Sequence, residues 1–133
     1  MKLRIFLFSL LCSFALWSHA QQEERPQPRI YFEQDVLDAG TLSVSKGDKR
    51  KLTFQFVNVG NAPLEIQKAE SSCGCTTLKF SNKPVKPGKR GKVTATIDAS
   101  TLDDRGVVGN LITIYYNSSL RYSRVRIRAD IRD

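Results

Sequence analysis

Apolar and polar residues alternate through most of this chain in short runs, and turn residues interrupt them about every ten positions. Lys51 to Val57 reads KLTFQFV, with Leu52, Phe54 and Phe56 on one face and Lys51, Thr53 and Gln55 on the other, which is the pattern of a half-buried strand. Asn58 to Pro63 (NVGNAP) supplies a turn, after which Leu64 and Ile66 resume the inward face. Lys83 to Gly91 (KPVKPGKRG) is a stiff connection, and beyond it Val93, Ala95 and Ile97 alternate with Thr94 and Thr96. Leu111 to Tyr116 (LITIYY) is apolar on both faces, as a central strand is. Val125, Ile127, Ala129 and Ile131 form the inward side of a last strand. No stretch carries a helical period of useful length. The economical fold is an all-β, immunoglobulin-like β-sandwich of about seven strands.

The N-terminus sets the compartment in which that sandwich works. Met1 to Arg4 is basic, Ile5 to Trp17 is almost unbroken apolar sequence, and Ser18-His19-Ala20 has the small residues that a signal peptidase requires. Residues 1–20 are therefore expected to be a signal peptide, and the protein to be exported to the periplasm or secreted. Later apolar runs fall far short of the roughly 20 residues that a membrane helix needs, so no transmembrane segment is expected in the mature chain. Gln21 to Pro28 (QQEERPQP) has nothing to bury and is expected to be a flexible tether, with the folded domain over 29–133. Cleavage removes Cys12 and the single histidine, His19, so Cys-His and Ser-His nucleophile pairs and imidazole metal ligands are excluded. Lys2 and Arg4 leave as well, and the formal charge falls from +8 to +6. A modest basic excess suits solubility and weakly favours anionic partners.

The stretches FQFVNVGNAPLEIQKAESSCGCTT and KPVKPGKRGKVTATID, followed by LITIYYN, closely resemble the secreted bacterial family called domain of unknown function 1573. The resemblance covers roughly Ile30 to Ile131, and its most specific piece is Ser72-Cys73-Gly74-Cys75-Thr76. Asn58, Gly60, Pro63 and Leu64 fall on the family's N-x-G-x-x-P-L turn, and Pro84, Pro87 and Gly88 on its P-x-x-P-G turn. One position departs, because Ala39 stands before Gly40 where the family carries an aromatic. The resemblance implies an Ig-like fold of the Hydin type and implies no settled activity.

Cys73 and Cys75, one glycine apart, are the main candidates for chemistry. In an extended strand, residues i and i+2 hold their Cβ atoms too far apart for a disulfide, so a bridge demands a bend. Gly74 permits one through its freedom at positive φ. A bridge across one residue closes a very short loop and adds little to the fold, and strained disulfides are the labile ones. Reduced, the two thiolates would suit a soft ion such as Cu(I), whereas zinc would lack two of its usual four protein ligands. Lys68 and Lys79 flank the motif, and hydroxyls at Ser71, Ser72, Thr76 and Thr77 would favour thiolate where they face it. Simple packing at a strand-to-loop corner is the plainer reading. Packing, redox exchange and soft-metal binding all stay open on the sequence.

Arg124, Arg126 and Arg128 alternate on the outward side of the last strand, with Arg121 just before them. Such a row would meet a phosphate or carboxylate polymer. Its plainer reading is protection of an exposed sheet edge. Asp103 and Asp104 sit in a turn, and nothing pairs them as catalytic carboxylates. The expected function is a non-catalytic binding or structural module of the bacterial envelope with an exposed C-G-C motif. Its expected partner is an envelope protein or an anionic envelope polymer, not nucleic acid. No cofactor is required, and thiol-redox or Cu(I) handling at Cys73 and Cys75 is the alternative.

Overall fold

The computed structural model describes residues 25–133, so the expected signal peptide and the first half of the expected tether lie outside the described residues. Eight strands follow in order: β1 (Ile30–Phe32), β2 (Val36–Ser43), β3 (Lys49–Asn58), β4 (Ile66–Ser71), β5 (Thr76–Phe80), β6 (Arg90–Asp98), β7 (Gly106–Tyr116) and β8 (Tyr122–Arg132). A single 3-10 turn, Ala99–Thr101, interrupts them. They form two four-stranded sheets, ordered β1-β3-β6-β5 and β2-β8-β7-β4. The opening segment is divided between the two. β1 pairs antiparallel with β3, the chain crosses over at 33–35, and β2 then runs parallel to β8. One split strand therefore accounts for the eighth element.

The period-two pattern places the core where the sequence put it. Phe54 and Phe56 on β3, Val93, Ala95 and Ile97 on β6, and Val125, Ile127, Ala129 and Ile131 on β8 are all buried between the sheets. Burying each large side chain contributes about 1.5–3 kcal/mol. Phe32 meets the rings of Phe54 and Phe56 edge-on, with centroids 6.4 and 5.7 Å away. In β2 a bulge falls between Asp38 and Thr41, with Gly40 at φ 74° and its N–H donating to Asp38 Oδ1 at 2.7 Å. Ala39, the departure from the family pattern, is buried at that bulge.

Two turn motifs fuse into one node at one end of the sandwich. Asn58 is fully buried, and its Nδ2 donates to the carbonyls of Ala62 and Val85 at 2.7 and 2.9 Å. Its Oδ1 accepts from the N–H of Gly60 at 3.0 Å and of Arg29 at 3.3 Å. A Cβ at residue 60 would lie 2.3 Å from the Gln27 carbonyl oxygen, which is why glycine stands there. Leu64 and Val85 close the node as an isolated bridge, and Gly88, at φ 77°, donates its N–H to the Asn58 carbonyl. Gln27 is fastened to the same end: its N–H donates to Asn61 Oδ1, its carbonyl accepts from the Asn61 N–H, and its side-chain oxygen accepts from the Ser119 hydroxyl. No helix among the described residues is long and apolar enough to cross a membrane.

Candidate functional site

The C-G-C motif lies at the opposite end, where the chain passes from β4 in one sheet to β5 in the other. That crossover supplies the bend a short bridge needs. Cys73 and Cys75 are joined by a disulfide, with Cα atoms 5.1 Å apart. Thr76 donates its N–H to the Cys73 carbonyl at 3.4 Å, closing a turn over 73–76. Gly74 does not adopt a positive φ, and apart from its two chain neighbours no residue lies within 4 Å of where its Cβ would stand. The freedom at positive φ that Gly74 offers is therefore not used, and the strand-to-strand crossing makes the bend instead.

The motif is exposed in part. Ser72 and Gly74 face solvent, Cys73 is half-buried, and Cys75 is 5% exposed and belongs to the core. Cys75 is drawn inward because it leads into β5, and its carbonyl accepts from the Asp98 N–H at 2.9 Å.

A residue that the sequence reading passed over, Asn110, organises the ground beneath the bridge. It is 2% exposed, on the inward side of β7 with Ile112 and Ile114. Its Oδ1 accepts from the hydroxyls of Ser71 and Ser72 at 2.8 and 2.9 Å, and its Nδ2 donates to Thr76 Oγ1. Thr76 Oγ1 lies 3.5 Å from Cys75 Sγ. The signal was present in the sequence: a polar residue on the buried parity of a strand must be hydrogen-bonded. The flanking lysines do not join this site. Lys68 forms an ion pair with Glu70, which raises the lysine's pKa and lowers that of the carboxylate through a side-chain hydrogen bond and charge. Lys79 lines a concavity of about 560 Å³ beside Phe56 and Phe80, away from the sulfurs.

With the bridge closed, neither sulfur is a thiolate, so Cu(I) would require the reduced form. No group of three or more cysteine, histidine, aspartate or glutamate side chains suited to a metal occurs among the described residues.

The arginine row occupies a different surface. β8 lies inside its sheet, with β2 on one side and β7 on the other, so the edge-protection reading is corrected: the parallel pairing of β2 covers that edge. Arg124, Arg126 and Arg128 are exposed on the outer face, at intervals of about 6.7 Å along the strand. Among the described residues none of the three forms an ion pair. Asp130 and Glu70 pair with Arg132 and Lys68, while Asp38 stands opposite Arg128 in the β2–β8 register with its Oδ1 accepting from the Gly40 N–H. Tyr122 and Tyr115 meet at a tilt of 60° at the end of the row with centroids 6.0 Å apart, and the Arg124 guanidinium lies 4.8 Å from the centre of the Tyr122 ring. Arg121 does not join the row, because it sits in the 117–121 turn at φ 66°.

Two four-stranded sheets with a first strand divided between them define an immunoglobulin-like β-sandwich. The chain belongs to the family described as protein of unknown function (DUF1573), whose model matches residues 30–131. The search of curated proteins finds no match. Among solved structures it is similar to a protein of unknown function from Porphyromonas gingivalis, with TM-score 0.67 and 20% identity over 77% of this chain. It spans only 46% of that protein's length. It is also similar to the ASH/PapD-like domain 7 of human CEP192, with TM-score 0.62, 9% identity, and coverage of 85% of this chain and 92% of that one. The Pseudomonas aeruginosa CupB2 chaperone matches with TM-score 0.55 and 12% identity, over 76% of this chain and 55% of that one. At these identities the likeness concerns the fold alone.

Proposed function

We propose that this protein is an exported, non-catalytic binding module of the bacterial cell envelope that holds an extended anionic partner against the outer face of β8. The observation that carries the reading is the row Arg124, Arg126 and Arg128, exposed on an internal strand with no ion-pair partner among the described residues. Arginine forks suit phosphate and carboxylate, and a flat sheet face repeats them at a fixed interval. Like charges held this close repel one another, and a bound polyanion relieves that repulsion. Tyr122 and Tyr115 add a rigid apolar end to the row.

Retention of the purified protein on isolated envelope polymer and on envelope protein fractions tests this reading. The triple variant Arg124→Gln, Arg126→Gln, Arg128→Gln is expected to lose retention while keeping its unfolding midpoint, and replacement of both cysteines is expected to leave retention intact. Retention of the triple variant at the wild-type level would refute it.

The closed bridge between Cys73 and Cys75 favours a second reading, thiol–disulfide exchange at the β4–β5 crossover. Thiol counting on protein purified from the envelope is expected to find no free thiol before mild reductant and two after. Two free thiols at the outset would contradict it.

A further inference from the structure

The environment of the bridge is asymmetric, and we propose that this asymmetry fixes which sulfur an incoming thiol attacks: Cys73 Sγ is the acceptor, Cys75 Sγ is the leaving group, and Thr76 is a catalytic residue positioned by Asn110. The inference rests on the thiol-exchange reading.

Access points to Cys73. It is half-buried beside exposed Ser72 and Gly74, with open space over Gly74, whereas Cys75 is 5% exposed among core residues. Exchange depends on access to the attacked sulfur and on how well the departing thiolate is stabilised.

Cys73 Sγ accepts from the single Cys75 N–H at 3.1 Å, whereas a relay of polar groups ends on Cys75 Sγ, and that relay points to Cys75 as the departing group. Leu111 donates its backbone N–H to Ser72 Oγ at 2.9 Å, so the Ser72 hydroxyl is free to donate, and it does so to Asn110 Oδ1 at 2.9 Å. Ser71 Oγ lies 2.8 Å from the same oxygen. Ser71 divides its one hydrogen between that oxygen and the Cys73 carbonyl at 2.9 Å, so the Ser72 hydroxyl is the donor that fixes the amide with Nδ2 facing Thr76, to which it donates. Thr76 Oγ1 thus accepts from Asn110, and its own hydrogen is directed to Cys75 Sγ at 3.5 Å. Every donor in the chain Leu111, Ser72, Asn110, Thr76 therefore points toward the buried sulfur. Such a run strengthens its last bond and favours the charged form of the acceptor.

The exchange balances with a partner dithiol as reductant. A partner thiolate attacks Cys73 Sγ, the bond between the two sulfurs breaks, and its electron pair leaves on Cys75 as a thiolate held by the Thr76 hydroxyl. The partner's second thiolate then attacks the partner sulfur of the mixed disulfide, and Cys73 departs as a thiolate. At that stage the Cys75 N–H, 3.1 Å from Cys73 Sγ, stabilises it. Two protons from the partner end on Cys73 and Cys75, the partner leaves as a disulfide, and each cysteine has served once as leaving group.

Oxidised protein treated with glutathione and quenched in acid, which halts reclosure, is expected to carry the adduct on Cys73 when located by fragment-ion mass spectrometry. Reduction by dithiothreitol is expected to slow about tenfold in Thr76→Val and to stay near the wild-type rate in Thr76→Ser, since either hydroxyl can hydrogen-bond the departing thiolate and valine cannot. In the Cys73→Ser background, ultraviolet thiolate absorbance should titrate at higher pH when Thr76→Val is added, a change that a merely structural threonine would not cause. A bridge inert to dithiothreitol would overturn the thiol-exchange reading itself. Ready exchange with the adduct on Cys75, or with Thr76→Val as fast as wild type, would overturn this inference and leave that reading standing.

Discussion

Asn58 carries more of the fold than its place in a turn motif suggests. Its amide joins four backbone groups from three separate segments, all at a fully buried position. Asn58→Ala strands those groups, and a loss of about 3 kcal/mol is expected from urea unfolding. A change under about 1 kcal/mol would mean that water replaces the amide. Asp98 works through charge instead. Its carboxylate accepts from the Ser100 hydroxyl at 2.6 Å and from the Lys49 ammonium at 3.1 Å, and these bonds, that to Ser100 foremost, hold its pKa below the usual 3.8. A carboxyl with a lowered folded pKa stabilises fully above its unfolded value and loses that contribution as pH falls through the folded one. Between about pH 4 and pH 2 the thermal midpoint of wild type should therefore fall more steeply than that of Asp98→Asn. Parallel curves would remove Asp98 from the account. At this scale the sequence was readable in part: N-x-G-x-x-P-L announced a turn, but alternation says nothing of what a buried amide bonds to. Asn110 shows the same limit, since its inward parity was visible and its partners on β4 and β5 were not.

At the scale of elements, strand positions follow from the pattern and strand order does not. Val125, Ile127, Ala129 and Ile131 alternate inward whether β8 is an edge or a centre, so its internal position could not be read from its own residues. The cause lies far away in sequence, where the chain changes sheets at 33–35 and β2 takes up a parallel register, Leu42 opposite Ile131. Leu42 is wholly buried and Val36 on the same strand is 52% exposed. Leu42→Ala is expected to cost about 2–5 kcal/mol and Val36→Ala to stay within about 0.5 kcal/mol, both by urea unfolding. Equal, small losses would mean that β2 is not an integral strand. The bend at the bridge has the same origin. Read as an extended strand, Cys73 to Cys75 needs a bend to close; as a crossover between sheets it has that bend without a positive φ at Gly74.

Across the whole molecule the features separate by location. The Asn58 node fastens one end, the bridge and its Asn110 support lie at the other, and the arginine row crosses an outer face between them. The turn motifs of the family are thereby explained as structure. Fold class and core were legible because burial imposes a period on the sequence, while the setting of the arginine row was not, because exposed arginines look alike on an edge and on a central strand. The most direct measurement is retention of wild type and of the triple glutamine variant on an immobilised anionic envelope polymer across a salt series. Exposed charges are screened within about 10 Å at 0.1 M salt, so wild-type binding should fall steeply as salt rises. The slope of log affinity against log salt should be shallower by about one for each arginine removed. Identical slopes for the two proteins would contradict the claim that the outer face of β8 holds the partner.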